Sequence, residues 1–103
     1  MNLRIHERAA ADLIDGVGFY ERQGAGLGDY FRDSIYLDIE SLRLFAGIHH
    51  RVFGYHKMLS KVFPYSIYYK VEGDTVNVWR VLDCRRDPRW IERQVRMRAA
   101  EES

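Results

Sequence analysis

With 103 residues, the chain has the length of one domain, and we expect a single domain over residues 1–98 and a flexible tail at 99–103. It is 47% hydrophobic and 30% charged, with a net charge of +1, and no apolar run approaches the ~20 residues of a membrane-spanning helix. The lone Cys84 excludes an internal disulfide, and the N-terminus lacks the apolar stretch of a signal peptide, so the sequence indicates the reducing cytoplasm.

The N-terminal part of the sequence predicts a short strand followed by a helix. Apolar and polar residues alternate over 2–6, and apolar residues then recur at helical spacing over 7–23. Gly24 lies where a C-cap would end this helix. Inside the helix, Gly16 and Gly18 each cost about 1 kcal/mol relative to alanine, so we interpret them as places where a second helix approaches closely.

A second helix is predicted from residue 30 to about residue 45, with Asp29 as its N-cap and Gly47 at its end. About five residues join the two helices, so they should lie side by side as an antiparallel hairpin. The predicted buried stripe comprises Phe31, Ile35, Ile39, Leu42 and Phe45, and the outer face comprises Arg32, Asp33, Asp38, Glu40 and Arg43.

The C-terminal half changes to strand periodicity. Strands are predicted around 55–59, over 62–71 and over 75–82, and Pro88 then begins a short helix over 89–97. The helices need a large apolar partner, and one face of the sheet is the surface available to them. The sequence therefore predicts a two-layer α+β domain.

The loop between the last two predicted strands decides where Arg80 points. If Gly73 and Asp74 form a two-residue loop, Arg80 pairs with Ile67, whereas a three-residue loop moves Arg80 opposite Ser66. Both registers stay open. The two-residue loop also pairs Tyr69 with Val78 and Tyr68 with Trp79.

Charge is distributed unevenly along the chain. Residues 1–47 carry a net charge of −3, whereas residues 48–98 hold eleven Lys and Arg against five Asp and Glu, a net charge of +6. Such segregation indicates an electrostatic surface suited to an acidic partner. The simpler alternative is that the arginines belong to the last helix and have no partner.

Three blocks of the sequence are distinctive: 9–13 (AAADL), 63–69 (FPYSIYY), and 81–88 (VLDCRRDP) followed by Trp90. Together they resemble the RelE/ParE superfamily, the toxins of bacterial type II toxin–antitoxin modules, over roughly residues 3–93. The resemblance implies a β-α-α-β-β-β fold with the helical hairpin on an antiparallel sheet and a short C-terminal helix. It also implies a hetero-oligomer with a cognate antitoxin.

The resemblance offers two kinds of target. RelE-like toxins are ribosome-dependent mRNA endoribonucleases, whereas ParE-like toxins bind and inhibit DNA gyrase. Ribonuclease relatives commonly carry a tyrosine after the last strand, but Tyr69 is the last tyrosine of this chain, so we favour the ParE-like inhibitor. Neither alternative predicts a cofactor, a metal, a small-molecule ligand or a membrane.

The candidate functional residues are basic, since RNA cleavage needs proton-transferring groups and cations, and an acidic partner needs cations. His56 and Lys57 form either an acid–base couple or, as we favour, a solvated pair at a sheet edge. The segment 85–87 is either a phosphate site or an ion pair capping the last helix. The nuclease candidates are His56, Lys57, Lys61, Arg80, Arg85 and Arg86, and the candidates for target or antitoxin binding are Lys57, Lys61, Arg80, Arg85, Arg86 and Trp90.

Other conspicuous residues are interpreted as structural. Cys84 is expected to be a half-buried filler rather than a nucleophile, and Trp79 and Trp90 to anchor the last helix on the sheet. The histidines lack the spacing of a metal site. Tyr65, Tyr68 and Tyr69 are expected to pack within the sheet with their hydroxyls at its rim.

Overall fold

The structure, a computed structural model, describes residues 1–97, so the predicted domain end at 98 and the tail at 99–103 lie outside the described residues. No helix within 1–97 is long and apolar enough to span a membrane. The predicted order of elements is confirmed, with one short strand added. The elements are β1 (Asn2–Ile5), α1 (Glu7–Glu21), α2 (Leu27–Phe45), β2 (Arg51–Val52), β3 (Tyr55–Leu59), β4 (Tyr65–Glu72), β5 (Thr75–Asp83) and α3 (Pro88–Arg96).

The strands form one mixed sheet in the order β1-β5-β4-β3-β2. The three pairs from β2 to β5 are antiparallel, but β1 runs parallel to β5, so the prediction of an antiparallel sheet was wrong for this pair. No turn links β1 directly to β5, and the local sequence therefore does not fix their relative direction. The α+β class and the helical hairpin on the sheet are confirmed.

The two helices of the hairpin approach each other closely at glycines. A Cβ atom on Gly16 would lie 2.5 Å from the ring of Phe31, and one on Gly28 would lie 2.8 Å from the carbonyl oxygen of Val17. The predicted close approach is thus confirmed at Gly16. It does not occur at Gly18, whose nearest neighbour is a side chain of its own helix.

The predicted caps Gly24 and Asp29 were wrong, because the turn between α1 and α2 is built around Glu21 and Gly26. The predicted end of α2 is confirmed, since Gly47 follows its C-cap with a left-handed φ of 96°. α1 ends at Glu21, before Gly24, and α2 follows directly after Gly26, whose φ of 87° is left-handed and favours glycine. The Glu21 carboxylate accepts the backbone N–H groups of Gly26 and Gly28. These bonds satisfy the start of α2, and Asp29 lies inside its first turn.

The buried stripe of α2 differs from the prediction at two positions. Phe45 is 53% exposed, because the stripe ends one turn before the last residue of α2. Asp38, predicted on the outer face, is 5% exposed, and its carboxylate lies 3.4 Å from the backbone N–H of Lys61. The loop between β3 and β4 therefore contacts the Asp38 carboxylate. The correctly predicted buried residues are Phe31, Ile35, Ile39 and Leu42.

The β4–β5 hairpin contains a bulge that neither predicted register includes. Tyr69 pairs with Val78, as the two-residue loop requires, but Tyr68 then pairs with Arg80. Trp79 is therefore an additional residue on β5, and both predicted partners of Arg80 were wrong. A bulge of this kind re-aims the side chains that follow it.

Two apolar clusters lie on the two faces of the sheet. The larger cluster lies beneath α1 and α2, and the smaller one lies between the sheet and α3. The indole N–H of Trp79 donates to the Val95 carbonyl at 2.8 Å, and Trp90 packs against the same smaller cluster. Both predicted anchors of the last helix are confirmed, and α3 covers part of the face turned away from the hairpin.

Candidate functional site

His56 and Lys57 do not form a couple, because they point to opposite faces of β3. The ring of His56 stacks on Tyr69 beneath the hairpin, with 5.0 Å between centroids, and its Nδ1–H donates to the His49 carbonyl at 2.7 Å. Lys57 instead lines a cavity of about 200 Å³ beside α3. The favoured interpretation of a sheet-edge pair also fails, because β2 covers the edge of β3.

Arg80, a residue of β5, is buried between α1 and α3, with 5% of its surface exposed. Its Nε–H and Nη2–H groups donate to the two carboxylate oxygens of Asp12 at 2.7 and 2.9 Å, and its Nη1–H donates to Gln94 at 2.9 Å. The Asp12 carboxylate also accepts the backbone N–H of Val81 at 3.0 Å. The charge of Arg80 is therefore neutralised inside the fold.

Burial of the Asp12 carboxylate costs free energy, and its surroundings have opposing effects on its pKa. Burial raises the pKa of Asp12 above the ordinary range of a carboxyl, while the hydrogen bonds from Arg80 and Val81 and the charge of Arg80 act to lower it. A buried pair of this kind depends on both partners, because either one alone leaves an uncompensated charge.

Asp12 was not among the predicted site residues, although its position on α1 indicates a buried partner. Ala9, Leu13 and Gly16 are buried on one side of α1, and Asp12 lies on the same side. An acid within an apolar helical stripe indicates a buried partner. The sequence does not identify that partner, because Arg80 comes from the far end of the chain.

Arg85, Arg86 and Trp90 lie together at the exposed loop between β5 and α3. Arg85 donates to both carboxylate oxygens of Asp83 at 3.0 and 2.8 Å, and the guanidinium of Arg86 lies 3.8 Å above the ring of Trp90. Asp87 separately caps α3 by accepting a backbone N–H of its first turn at 2.8 Å. An ion pair and a cap both exist, but the acid paired with Arg85 is Asp83.

A cleft of about 290 Å³ lies between α1 and this loop, lined in part by Asp15, Asp83, Arg86 and Trp90. Burial acts to raise the pKa of Asp83, but the hydrogen bonds and charge of Arg85 outweigh burial and hold that pKa below its ordinary range. Burial raises the pKa of Tyr65, which also lines the cleft, to about 12. The cleft thus offers paired charges and aromatic rings, but its tyrosine is not a base near neutral pH.

Lys61 and Cys84 lie apart from these contacts. Lys61 is exposed in the loop between β3 and β4. Cys84 follows the last residue of β5 and is exposed rather than half-buried, with its Sγ 2.8 Å from the hydroxyl of Ser66. No group of three or more His, Cys, Asp or Glu within residues 1–97 could hold a metal ion.

The hydroxyl of Tyr69 lies inside the structure rather than at the rim. It accepts the backbone N–H of Gly47 at 2.9 Å and lies 2.5 Å from Nδ1 of His49. Burial, together with the charge of His56, lowers the pKa of His49 below its ordinary range. These contacts tie the loop after α2 to the sheet.

The outer face of the hairpin carries exposed apolar side chains beside the predicted charged residues, and these apolar positions were not predicted from the sequence. Ile14 and Leu37 are each 72% exposed, and Leu44 is 83% exposed. The seven-residue interval from Leu37 to Leu44 repeats from Tyr30, and this second stripe on α2 was the available signal. A groove of about 320 Å³ runs between the helices, lined by Ala10, Leu13, Ile14, Val17, Arg32 and Tyr36.

Comparison with known proteins supports the resemblance found in the sequence. A family model described as "ParE toxin of type II toxin-antitoxin system, parDE" matches residues 3–88. A solved structure described as "Chromosomal ParDE TA system from P. aeruginosa" is similar to the chain, with a TM-score of 0.67 and 22% identity, over 79% of this chain and 92% of that chain. At this identity the likeness concerns the fold. No match is found among curated proteins.

Proposed function

Since the chain belongs to the family of ParE toxins of type II toxin–antitoxin systems, we propose that it inhibits bacterial growth by binding DNA gyrase and is neutralised by a cognate antitoxin. The family match carries the proposal. Gyrase, a cytoplasmic target, is inferred from the resemblance of the sequence to ParE-like toxins.

The arrangement of the basic residues supports inhibition by binding rather than RNA cleavage. A metal-free nuclease needs a base, an acid and cations that converge on one phosphate. His56 and Lys57 point to opposite faces of the sheet, and Arg80 is held by Asp12. These three candidates do not converge on one phosphate, which favours inhibition by binding over RNA cleavage.

We propose the loop with Arg85, Arg86 and Trp90 as the contact with the target, with Lys57 and Lys61 as further candidates. Asp83 orients Arg85, and Trp90 supports Arg86, so both cations are held in place while they remain exposed. Cations fixed in this way lose little side-chain entropy when they bind an acidic surface.

We propose that the antitoxin covers the outer face of the hairpin. The exposed Ile14 lines an apolar groove between the helices, and Leu37 and Leu44 are exposed on α2, and such apolar exposure is typical of a protein interface. The groove between two antiparallel helices suits an amphipathic helix of the partner. Co-expression with the product of an adjacent gene should give a stable complex, and a toxin that remains monomeric in its presence would contradict the proposal.

Induction of the full chain in bacteria tests the target. Gyrase inhibition should produce DNA damage, the SOS response and filamentous cells while mRNA stays intact. Early loss of translation with mRNA cut on the ribosome would instead establish the RelE-like alternative and overturn the proposal.

Replacement of Arg85 and Arg86 by glutamine tests the contact residues. We expect lower toxicity with unchanged antitoxin binding and a loss in the free energy of unfolding of no more than about 2 kcal/mol, because an exposed ion pair and an exposed cation–π contact each contribute up to about 1 kcal/mol. The control is the pair Arg43→Gln and Arg51→Gln, which removes the same charge from exposed positions outside both proposed surfaces. Full toxicity of the first variant would assign the loop a structural role.

A further inference from the structure

Three arginines form a row on the outer side of α3. Arg89, Arg93 and Arg96 are spaced by four and three residues, so their side chains lie on one side of the helix, and all three are exposed. They surround an open hollow of about 450 Å³ whose other lining residues are Glu92 and Met97. We call these three residues the arginine face.

The arginine face gives the free protein little stability. Arg96 pairs with Glu92 at 2.7 Å, whereas Arg89 and Arg93 form no ion pair with any residue in the described range 1–97. Like charges four residues apart on a helix destabilise it by a few tenths of a kcal/mol. A helix that carries such a row gains stability when an anion binds to it.

We propose that the arginine face binds the phosphate backbone of double-stranded DNA, a property beyond the inhibition of gyrase proposed above. The planar guanidinium group matches phosphate oxygens with two parallel hydrogen bonds. The row spans about 10 Å along the helix axis. Duplex DNA carries about six phosphate charges over that length, so each arginine has a phosphate within reach.

The surroundings of the row favour a duplex over a single strand. Single strands bind by stacking their bases on exposed aromatic rings. Near α3 the rings of Trp90 and Phe53 are half-buried and each has an arginine over it, with Arg86 3.8 Å above Trp90 and Arg96 5.3 Å from the centroid of Phe53. The row therefore offers cations on a helix without a fully exposed aromatic ring, which suits a regular backbone.

The same surroundings disfavour an acidic protein segment. A peptide that docks on a domain uses apolar pockets for its specificity as well as charge. The hollow on α3 has one apolar lining residue, Met97, whereas the apolar groove lies on the hairpin, on the other face of the sheet. Residues 84–97 carry a net charge of +3 and residues 1–47 carry −3, so a polyanion is directed toward α3.

The test is binding of the full chain to a labelled DNA duplex of random sequence, followed by fluorescence anisotropy over a range of salt concentrations. The logarithm of the binding constant should fall against the logarithm of salt with a slope of about −2.7, since each phosphate contact contributes about −0.9. In the variant with Arg89→Gln and Arg93→Gln, the slope should shrink by about 1.8 and binding at low salt should weaken by about tenfold or more.

The control variant with Arg43→Gln and Arg51→Gln removes the same charge from exposed positions on α2 and β2 and should keep the slope. An unchanged slope in the α3 variant, or no binding at low salt, would overturn the proposal. Tighter binding of single-stranded RNA than of the duplex would also overturn it. Loss of antitoxin affinity with unchanged DNA binding in the α3 variant would assign the face to a protein. None of these measurements depends on toxicity, so they are separate from the test of gyrase as the target.

Discussion

At the scale of single residues, the Asp12 side chain accepts a backbone hydrogen bond from β5 that a neighbouring strand would otherwise accept. β1 pairs with β5 as far as Ile5 and Val78, and the edge of β5 is unpaired beyond that point. The Asp12 carboxylate accepts the Val81 N–H at this edge and binds Arg80 with its two oxygens. One side chain of α1 therefore closes the sheet edge and fixes the residue that follows the bulge.

Replacement of Asp12 by alanine should lower the free energy of unfolding by about 3–5 kcal/mol, because Arg80 would remain buried without its counter-charge. The double variant Asp12→Leu with Arg80→Met should recover most of that loss, since it removes both charges and keeps apolar volume. Urea unfolding measures both values. A double variant that is as unstable as the sum of its single changes would contradict this account of the pair.

His49 should make the stability of the fold depend on pH. Burial and the charge of His56 lower its pKa in the folded state, so between that pKa and the ordinary value of about 6.5 the unfolded chain binds a proton that the folded chain does not. Stability should therefore fall as pH decreases from about 7 through the folded pKa. NMR titration should give a His49 pKa below 6.5, and His49→Gln should remove this part of the pH dependence. The same pH dependence in the variant would contradict the assignment.

At the scale of elements, the closeness of the two helices can be tested by two matched glycine substitutions. Gly28→Ala should destabilise the protein by about 1–3 kcal/mol, because the new methyl group would lie 2.8 Å from the backbone oxygen of Val17. Gly18→Ala should stabilise it by up to about 1 kcal/mol, since its neighbour is the flexible end of Arg22 and alanine favours the helix. Thermal unfolding of both variants checks the contrast, and equal effects would contradict it.

The elements that the sequence predicted are those with a strong apolar period. The apolar residues of α2 from Phe31 to Leu42 recur at helical spacing and are buried, and β4 and β5 are rich in buried apolar residues. The spacing of the apolar residues therefore predicts which of these elements are helices and which are strands. The caps at the turn between α1 and α2 could not be predicted in this way, because Glu21 reaches across that turn to Gly26 and Gly28. Such contacts depend on the conformation of the turn, which the spacing of apolar residues does not describe.

The strand β2 was missed because it is two residues long and its turn is unusual. Phe53, in the turn to β3, takes a φ of 57°, which non-glycine residues rarely adopt, and its ring packs with the smaller cluster beneath α3. The bulge at Trp79 has a similar origin, since Trp79 also belongs to the smaller cluster. Packing against α3 accompanies both departures, and the local sequence does not report it.

The sequence predicted which basic residues could bind a partner, but it did not predict which of them are already paired inside the domain. Composition identifies arginines in the second half of the chain, yet Arg80 is buried and neutralised by Asp12, whereas Arg85 remains exposed while it pairs with Asp83, and Arg86 lies on Trp90. Whether a cation is free depends on acids that come from other elements. The sequence therefore identifies the arginines of the loop before α3 as candidates but does not show which of them are held by acids of the same domain.

For the whole molecule, the sheet separates two different surfaces. The hairpin presents apolar side chains on one side, and α3 presents arginines on the other. An antitoxin bound to the hairpin would leave the arginine face accessible. The two proposed surfaces can therefore be altered independently, since substitutions more than about 7–10 Å apart with no shared partners have additive effects.

The proposed antitoxin surface predicts a toxin that escapes neutralisation. Leu37 is 72% exposed on α2, so Leu37→Asp should change the free energy of unfolding by no more than about 0.5 kcal/mol. A carboxylate placed in an apolar interface should nevertheless weaken antitoxin binding by about tenfold or more, and co-expressed antitoxin should then fail to restore growth. Leu59→Asp is the matched control, because Leu59 is 65% exposed on β3, away from the hairpin. Equal neutralisation of both variants would move the antitoxin surface off the hairpin, because the two substitutions differ only in their place on the fold.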